Sequence, residues 1–209
     1  MKIDEILKAA SVIPVLEIGA LEHAAPLARV LAAGGLRVIE ATLRTAVAVD
    51  AVKAMKDAEP DLVIGMGTIL SAEDIEKSGP CQPDFLVTPG ATRSLFRALN
   101  EYGIPSLPGV ASASEAMIAA DAGFTAQKFF PAEPAGGIAY LKALKGPLPK
   151  ITFCPTGSIS ADIAPDYLAL QNVACVGGSW IASKDMIADE KWDLIEANAR
   201  LAAEMKQEA

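Results

Sequence analysis

The sequence predicts an α/β domain whose parallel strands close into a (β/α)8 barrel, and three observations lead to this expectation. Short β-branched runs alternate with Ala-rich helical stretches, which is the pattern of a parallel sheet with crossover helices. Eight such units occur, the number that closes a barrel rather than leaving an open sheet. Hydrophobic residues make up 52% of the 209 residues but aromatic residues only 5%, so branched aliphatic side chains are expected to fill the barrel interior.

Each predicted strand is a short apolar run, and the eight runs are residues 13–18, 37–41, 62–66, 84–87, 104–107, 126–130, 151–154 and 173–176. The helices predicted after them are residues 21–33, 46–57, 71–77, 92–101, 112–122, 137–144, 160–170 and 184–204. Ser71 and Ser112 each have an acidic residue three positions later, the spacing of a capping box. Gly103 and Gly123 stand where two helices should end. A further helix over residues 3–10 is expected to cap the barrel bottom. Since no linker or low-complexity segment interrupts the chain, residues 1–209 are predicted to form one domain.

Composition and charge exclude several classes of protein. A net charge of −8 and a pI near 4.7 disfavour nucleic-acid binding. Cys81, Cys154 and Cys175 are odd in number and far apart, which argues against a disulfide scaffold and fits a reducing compartment. A single histidine and the absence of paired cysteines leave no zinc motif, so no metal and no cofactor are expected. No apolar run approaches the roughly 18 residues of a membrane span, and the acidic N-terminal segment does not read as a signal peptide. We therefore expect a soluble, cytoplasmic protein without a membrane partner.

Lys128 is the most unusual residue of the predicted strands. It lies in an apolar strand next to Phe129 and Phe130, and because burying an ammonium group is costly, lysine is rarely placed there without a use. A lysine that has lost its hydration is a better amine nucleophile and can form a Schiff base with a carbonyl substrate. The alternative is a lysine whose side chain extends from the strand end to solvent.

Glu40 ends another apolar strand and shares a face with Val38 by period-two alternation. A buried carboxylate near a lysine can act as general base and general acid. The alternative is a structural ion pair with Lys128 or Arg44. Because His23 falls in a predicted helix, Glu40 is the better candidate for proton transfer.

Polar and Gly-rich residues at the other strand ends suggest how a substrate is held. Arg44 can bind a carboxylate through its planar guanidinium, and Thr68 through its hydroxyl; for Arg44 the alternative is an ordinary surface charge. Gly-rich backbone after strands 7 and 8 is the usual phosphate site of a barrel, and residues 157–158 and 177–179 provide it here. The alternative is a tight turn that simply requires glycine.

At these residues the sequence resembles the 2-keto-3-deoxy-6-phosphogluconate (KDPG) aldolase and 4-hydroxy-2-oxoglutarate (KHG) aldolase family. The matching stretches are EATLRT at 40–45, GMGT at 65–68, KFFPAE at 128–133, FCPTG at 153–157 and GGSW at 177–180, spread over roughly residues 10–185. The resemblance implies a class I aldolase that uses no metal, folded as a TIM barrel and assembled as a homotrimer. Its implied reaction is the reversible cleavage of a 2-keto-3-deoxy acid to pyruvate and an aldehyde, either glyceraldehyde 3-phosphate or glyoxylate.

The resemblance also assigns roles by position. Lys128 would form the Schiff base, Glu40 would move protons, and Arg44 and Thr68 would bind the pyruvoyl carboxylate. The further substrate-binding residues that it implies are Pro89, Phe130, Thr156, Gly157, Ser158, Gly177, Gly178 and Ser179.

Three departures from the family pattern bear on which substrate is accepted. Ser158 replaces a common second glycine and is expected to be strained if the backbone there has positive φ. Met66 is expected to narrow the carboxylate pocket, and Glu17 is expected to line the barrel and repel an anionic substrate. Other functions stay open: an aldolase for an epimeric phosphogalactonate acid, a metal-dependent pyruvate aldolase, a phosphosugar isomerase or epimerase, or a barrel without catalytic activity.

Overall fold

The computed structural model describes residues 1–205, so residues 206–209 of the predicted domain lie outside the described residues. The fold is α/β with parallel strands, as predicted. The strands are β1 (Val12–Leu16), β2 (Val38–Thr42), β3 (Val63–Gly67), β4 (Phe85–Val87), β5 (Ser106–Leu107), β6 (Gly109–Val110), β7 (Ala126–Phe129), β8 (Thr152–Pro155) and β9 (Val176–Gly178). They form one parallel sheet in the order β5–β4–β3–β2–β1–β9 and a second in the order β6–β7–β8.

Two predicted strands differ from the observed ones. The run at 104–107 continues past Pro108 as two short strands, β5 and β6, because proline has no N–H to donate to the ladder. The run at 173–176 begins its regular pairing only at Val176, and Val173 makes an isolated parallel bridge to Phe153. A second isolated bridge joins Thr156 and Gly177, so the chain beside β8 meets the chain of β9 across the two sheets.

The helices alternate with the strands. They are α1 (Ile3–Lys8), α2 (Ala24–Ala33), α3 (Ala48–Ala58), α4 (Ala72–Ser78), α5 (Arg93–Tyr102), α6 (Ala113–Asp121), α7 (Gly137–Lys145), α8 (Ala164–Leu168), α9 (Lys184–Ala188) and α10 (Trp192–Glu204), with 3₁₀ turns at Leu21–His23 and Gly79–Cys81. The hydroxyls of Ser71 and Ser112 accept hydrogen bonds from the N–H groups three residues on, which confirms both predicted N-caps. The predicted helix at 184–204 is interrupted near Glu190, whose φ is +51°, and the predicted helix at 160–170 is shorter, with Pro165 in its first turn.

Apolar side chains form two clusters on opposite faces of the strands. Ile39 and Ala41 of β2 belong to a large cluster with buried residues of α2 and α3, whereas Val38 belongs to a smaller cluster with residues of five other strand segments. Ile6 and Leu7 of α1 are buried in this smaller cluster, so α1 covers the amino ends of the strands. The carboxyl ends are left for the site, as expected for this architecture.

The described residues, 1–205, include no helix with both the length and the apolar character that crossing a membrane requires.

Candidate active site

Lys128 of β7 and Glu40 of β2 meet across the interior of the fold. The Lys128 Nζ atom lies 3.2 Å from Oε1 and 3.4 Å from Oε2 of Glu40, and the two side chains are only 7% and 5% exposed. The strands come from different sheets, so the pair joins both. Lys128 is therefore not a lysine that reaches solvent, and the neighbouring carboxylate compensates its buried charge.

Period-two alternation along β7 explains why Lys128 points inward. Gln127, its neighbour in sequence, points to the helices, where its Nε2 donates to the carbonyls of Ala116 and Phe124. Lys128 must then face the opposite side. The Phe130 ring lies beyond it, with its centroid 5.4 Å from Nζ, close enough for a cation–π interaction. The ammonium group is thus held between a carboxylate and an aromatic face.

Gly67 of β3 provides the space that Glu40 occupies. A Cβ atom at this position would overlap the Glu40 carboxylate, and its contact with Cδ would be 2.8 Å. No residue larger than glycine fits without moving the carboxylate. This role of Gly67 was not predicted, although a glycine inside a strand is a sign of close approach by a neighbouring group.

Gly67→Ala is expected to lower the free energy of unfolding by about 1–3 kcal/mol, because the added methyl group overpacks a closed site. Urea denaturation followed by circular dichroism measures this loss. Gly90→Ala is the matched control, since nothing lies within 4 Å of the Cβ it would add. An equal loss in both variants would contradict the packing argument.

A cavity of about 170 Å³ opens beside Lys128. It is lined by Val15, Arg44, Lys128, Phe130, Thr156, Gly157, Ser158, Ile159, Gly177 and Ser179. Most of the residues predicted to bind substrate are therefore gathered around one space. Val15 and Ile159 are additions, and neither carried a polar signal in the sequence.

Three residues predicted to bind substrate, Thr68, Pro89 and Gly178, do not line this cavity. Gly178 faces the indole of Trp180 and the side chain of Val12, because alternation along β9 turns it away from Gly177, which faces Thr156. Pro89 lines a neighbouring cavity of about 130 Å³ that shares Phe130 with the first.

Arg44 and Thr68 contact each other at one side of the site. The Nε atom of Arg44 donates to Oγ1 of Thr68 over 3.0 Å, which fixes the plane of a guanidinium whose terminal nitrogens carry four further donors. Thr68 has φ +63°, an outlier for a β-branched residue that costs about 1–3 kcal/mol. On either side of Thr68, the Gly67 carbonyl accepts a hydrogen bond from the Leu43 N–H and the Ile69 N–H donates to the Val87 carbonyl of β4. These bonds hold the strained backbone in place.

The opposite side of the cavity is a turn with two successive left-handed residues. Gly157 has φ +112° and Ser158 has φ +59°, so the backbone at Ser158 has the positive φ on which the strain expectation depended. Ser158 is exposed and lies beside the cavity. The conformation costs about 1 kcal/mol or more for serine.

The expectations for Met66 and Glu17 are wrong. Met66 is fully buried in the cluster on the helix side of the sheet, since alternation directs Gly65 and Gly67 toward the site instead, and it cannot narrow the carboxylate pocket. Glu17 accepts a hydrogen bond from Lys184 over 2.7 Å and does not line the cavity. The carboxylate of Glu17 raises the pKa of Lys184, and this ion pair leaves no isolated negative charge to repel an anion.

Within residues 1–205, no group of three or more His, Cys, Asp or Glu side chains is placed to hold a metal ion. Cys154 and Cys175 lie in the small interior cluster. The hydrogen bond with Cys154, together with burial, raises the pKa of the Cys175 thiol well above its usual value, so this thiol stays protonated and unreactive at neutral pH. Among the residues that line the cavity, Lys128 is the one with a primary amine.

A parallel α/β fold that holds a buried lysine–carboxylate pair in a small cavity at its strand ends is typical of an enzyme. Comparison with known proteins gives the class. The family model described as KDPG and KHG aldolase matches residues 3–198. The 2-dehydro-3-deoxy-phosphogluconate aldolase of Dickeya dadantii is 44% identical over 199 residues, which are 95% of this chain and 93% of that protein. The KHG/KDPG aldolase of Escherichia coli K12 is 42% identical over 201 residues, 96% of this chain and 94% of that protein.

The solved structures agree. A KDPG aldolase from Legionella pneumophila, with pyruvate captured at low pH as a covalent carbinolamine intermediate, superimposes with a TM-score of 0.94 at 42% identity, covering 97% of this chain and 98% of that one. The chain belongs to the KDPG and KHG aldolase family, a family of lyases. The family predicted from the sequence motifs is confirmed.

Proposed function

We propose that the chain is a class I pyruvate aldolase that reversibly cleaves 2-keto-3-deoxy-6-phosphogluconate to pyruvate and glyceraldehyde 3-phosphate. Cleavage of 4-hydroxy-2-oxoglutarate to pyruvate and glyoxylate is the second candidate, favoured by the double name of the E. coli relative. The observation that carries the proposal is the buried contact between Lys128 and Glu40 beside a cavity. The pyruvate adduct of the Legionella pneumophila structure supports covalent catalysis.

The chemistry begins at Lys128. Its neutral amine attacks the C2 carbonyl carbon, and the resulting hydroxyl leaves as water, which gives a protonated iminium ion. Glu40, at 3.2 Å from Nζ, takes the C4 hydroxyl proton directly or through a water molecule. The C3–C4 bond then breaks and its electron pair forms the C2=C3 double bond, while the π pair of the iminium bond moves to nitrogen. This gives an enamine, and the aldehyde departs. Protonation of C3 and hydrolysis release pyruvate and free Lys128.

Substrate binding must be local, because a protein with net charge −8 repels an anion at long range. Arg44 and Thr68 bind the pyruvoyl carboxylate near Lys128. The aldehyde end of the substrate is surrounded by Thr156, Gly157, Ser158, Gly177 and Ser179. Gly178 contributes only the backbone that joins Gly177 to Ser179. Phe130 covers one side of the cavity, and Pro89 lines the neighbouring cavity that shares Phe130.

We also propose that the two sheets close into a (β/α)8 barrel of one domain, that the protein is a homotrimer and that it is cytoplasmic. The bridges Phe153–Val173 and Thr156–Gly177 support closure on one side, and the continuity of β5 and β6 across Pro108 supports it on the other. Buried free thiols fit a reducing compartment. For a single domain we expect one unfolding transition, and for a homotrimer a sedimentation mass three times that of the 21.7 kDa chain. For a cytoplasmic protein we expect recovery in the soluble cell fraction. Failure of any one result removes the corresponding proposal.

A retro-aldol assay on a substrate panel tests the function. The panel holds the phosphorylated gluconate and galactonate keto acids and 4-hydroxy-2-oxoglutarate, with pyruvate release measured in the presence and absence of EDTA. We expect EDTA-insensitive cleavage with a preference for the phosphogluconate acid. Activity lost with EDTA would indicate a metal-dependent aldolase, and the absence of any pyruvate would favour a barrel without this activity.

A further inference from the structure

A buried tyrosine and a glutamate outside the cavity contact each other behind its far end. Tyr167 of α8 is fully buried, and its hydroxyl donates a hydrogen bond to Oε1 of Glu133 in the segment that follows β7. Neither residue touches the Lys128–Glu40 pair, and the chemistry described above does not use either of them. Their hydrogen bond connects α8 to the segment after β7, and this connection bears on the turn at residues 156–158.

The segment that carries Glu133 lies directly against the turn at residues 156–158. The Ala132 N–H donates to the carbonyl of Thr156 over 2.8 Å, and the Glu133 N–H donates to that of Gly157 over 3.3 Å. A Cβ on Gly157 would lie 3.1 Å from the Pro131 Cα and 3.2 Å from the Ala132 nitrogen. The segment after β7 is therefore the back wall of this turn.

The tyrosine–glutamate hydrogen bond closes a ring around the turn. The chain runs from Gly157 through the following loop to Tyr167, and Tyr167 returns to Glu133, which is already bonded to Gly157 through its backbone. The turn is thus fixed from the β7 side and from the α8 side at once. Loss of one hydroxyl group would open the ring while leaving both elements in place.

The residues around Tyr167 and Glu133 favour the hydrogen bond between them. A Cβ on Gly137 would lie 3.0 Å from Oε1 of Glu133 and 3.1 Å from the hydroxyl of Tyr167, so any larger residue would press on both atoms of the hydrogen bond. Gly137 begins α7, and the amino end of a helix stabilises a carboxylate. Burial, together with the Glu133 contact, raises the pKa of Tyr167, so the phenol keeps its proton and remains a donor.

The turn needs such support, because two successive left-handed residues, one of them serine, persist only where the surroundings determine the backbone. We propose that Tyr167 and Glu133 are positioning residues that hold residues 156–158 in the shape that receives the aldehyde end of the substrate. The location of that end rests on the proposed function. The pair acts on binding of the distal group and leaves the reactions at Lys128 unchanged.

Tyr167→Phe tests the proposal, with Tyr102→Phe as the matched control, since Tyr102 donates a similar hydrogen bond to Glu76 over 2.8 Å on the surface. In Tyr167→Phe we expect the KM for the phosphorylated keto acid to rise about tenfold. The kcat and the endpoint of borohydride trapping with pyruvate should stay within about twofold of wild type. The control should change none of these values.

Two further variants keep the proposal falsifiable if Tyr167→Phe folds poorly. Glu133→Gln retains an acceptor and should raise the KM less than Glu133→Ala does. Hydrogen exchange at the Gly157 and Ser158 amides should become faster in Glu133→Ala, a readout that needs no substrate. Unchanged KM and exchange, or trapping that falls in parallel with cleavage, would overturn the proposal. A wild-type protein that forms no pyruvate adduct would instead overturn the proposed function, and the exchange result would still decide the role of the pair.

Discussion

Lys128→Met is expected to lose at least about 10⁴-fold of the cleavage rate, because no other nucleophile in the site can form the iminium ion. Methionine has a similar length and no charge, so the substitution also leaves Glu40 buried without a partner. Removing one member of a buried ion pair costs about 3–5 kcal/mol of stability, and the variant should therefore unfold more readily than wild type. Cleavage is measured by pyruvate release, and adduct formation by mass spectrometry after borohydride reduction with pyruvate.

Two controls separate lost chemistry from lost stability. The double variant Lys128→Met, Glu40→Gln removes both charges and should recover most of the stability while remaining inactive. Lys53→Arg, at an exposed lysine paired with Asp50, should leave cleavage and adduct mass unchanged. A pyruvate adduct on any other lysine, or substantial cleavage by the folded double variant, would exclude Lys128 as the Schiff-base residue.

Glu40→Gln is expected to slow cleavage by about 10²–10⁴-fold while Lys128 still forms the pyruvate adduct. Glutamine has nearly the same shape and fits the space beside Gly67, but a neutral amide cannot take the C4 hydroxyl proton. Trapping runs to completion over a long incubation in which water can carry the protons, so its endpoint should match wild type. Rapid-quench measurement of aldehyde release gives the rate, and borohydride reduction gives the adduct yield.

The contrast between the two readouts is what tests Glu40. A variant that loses adduct yield as completely as it loses cleavage would place the carboxylate in iminium formation instead of proton removal at C4. Glu17→Gln is the matched control, because Glu17 is also a strand-end glutamate paired with a lysine, Lys184, but lies outside the cavity. It should keep near-normal cleavage.

The sequence was informative at two places where a charge interrupts an apolar strand. Lys128 and Glu40 break the hydrophobic pattern of β7 and β2, and period-two alternation placed Glu40 on the same face as Val38. Parallel topology then brought their strand ends to one edge of the fold. For the same reason most of the residues that line the cavity could be identified from their position after a strand.

Pattern could not supply the features that depend on strand register or backbone dihedral angles. Met66 was misplaced because its side chain packs on the helix side of β3. Glu17 was misplaced because β1 ends at Leu16, and beyond the strand its carboxylate pairs with Lys184. The positive φ of Thr68 is imposed by tertiary hydrogen bonds, and no local signal favours it in a β-branched residue. The contact of Tyr167 with Glu133 joins segments distant in sequence, so only the folded chain reveals it.

The placement of α1 leaves the carboxyl ends of the strands as the open side of the site. Ile6 and Leu7 cover the amino ends of the strands. The opposite end of the interior is open, and it is bordered by the loops that carry Arg44 and Ser158. In the proposed reaction the substrate is bound covalently to Lys128 in the interior, and its distal group occupies the open end. While this distal group is bound, it keeps bulk water from the iminium ion during carbon–carbon cleavage. When the aldehyde leaves, the same opening admits the water that hydrolyses the remaining adduct. In the proposed reaction, carbon–carbon cleavage therefore precedes hydrolysis.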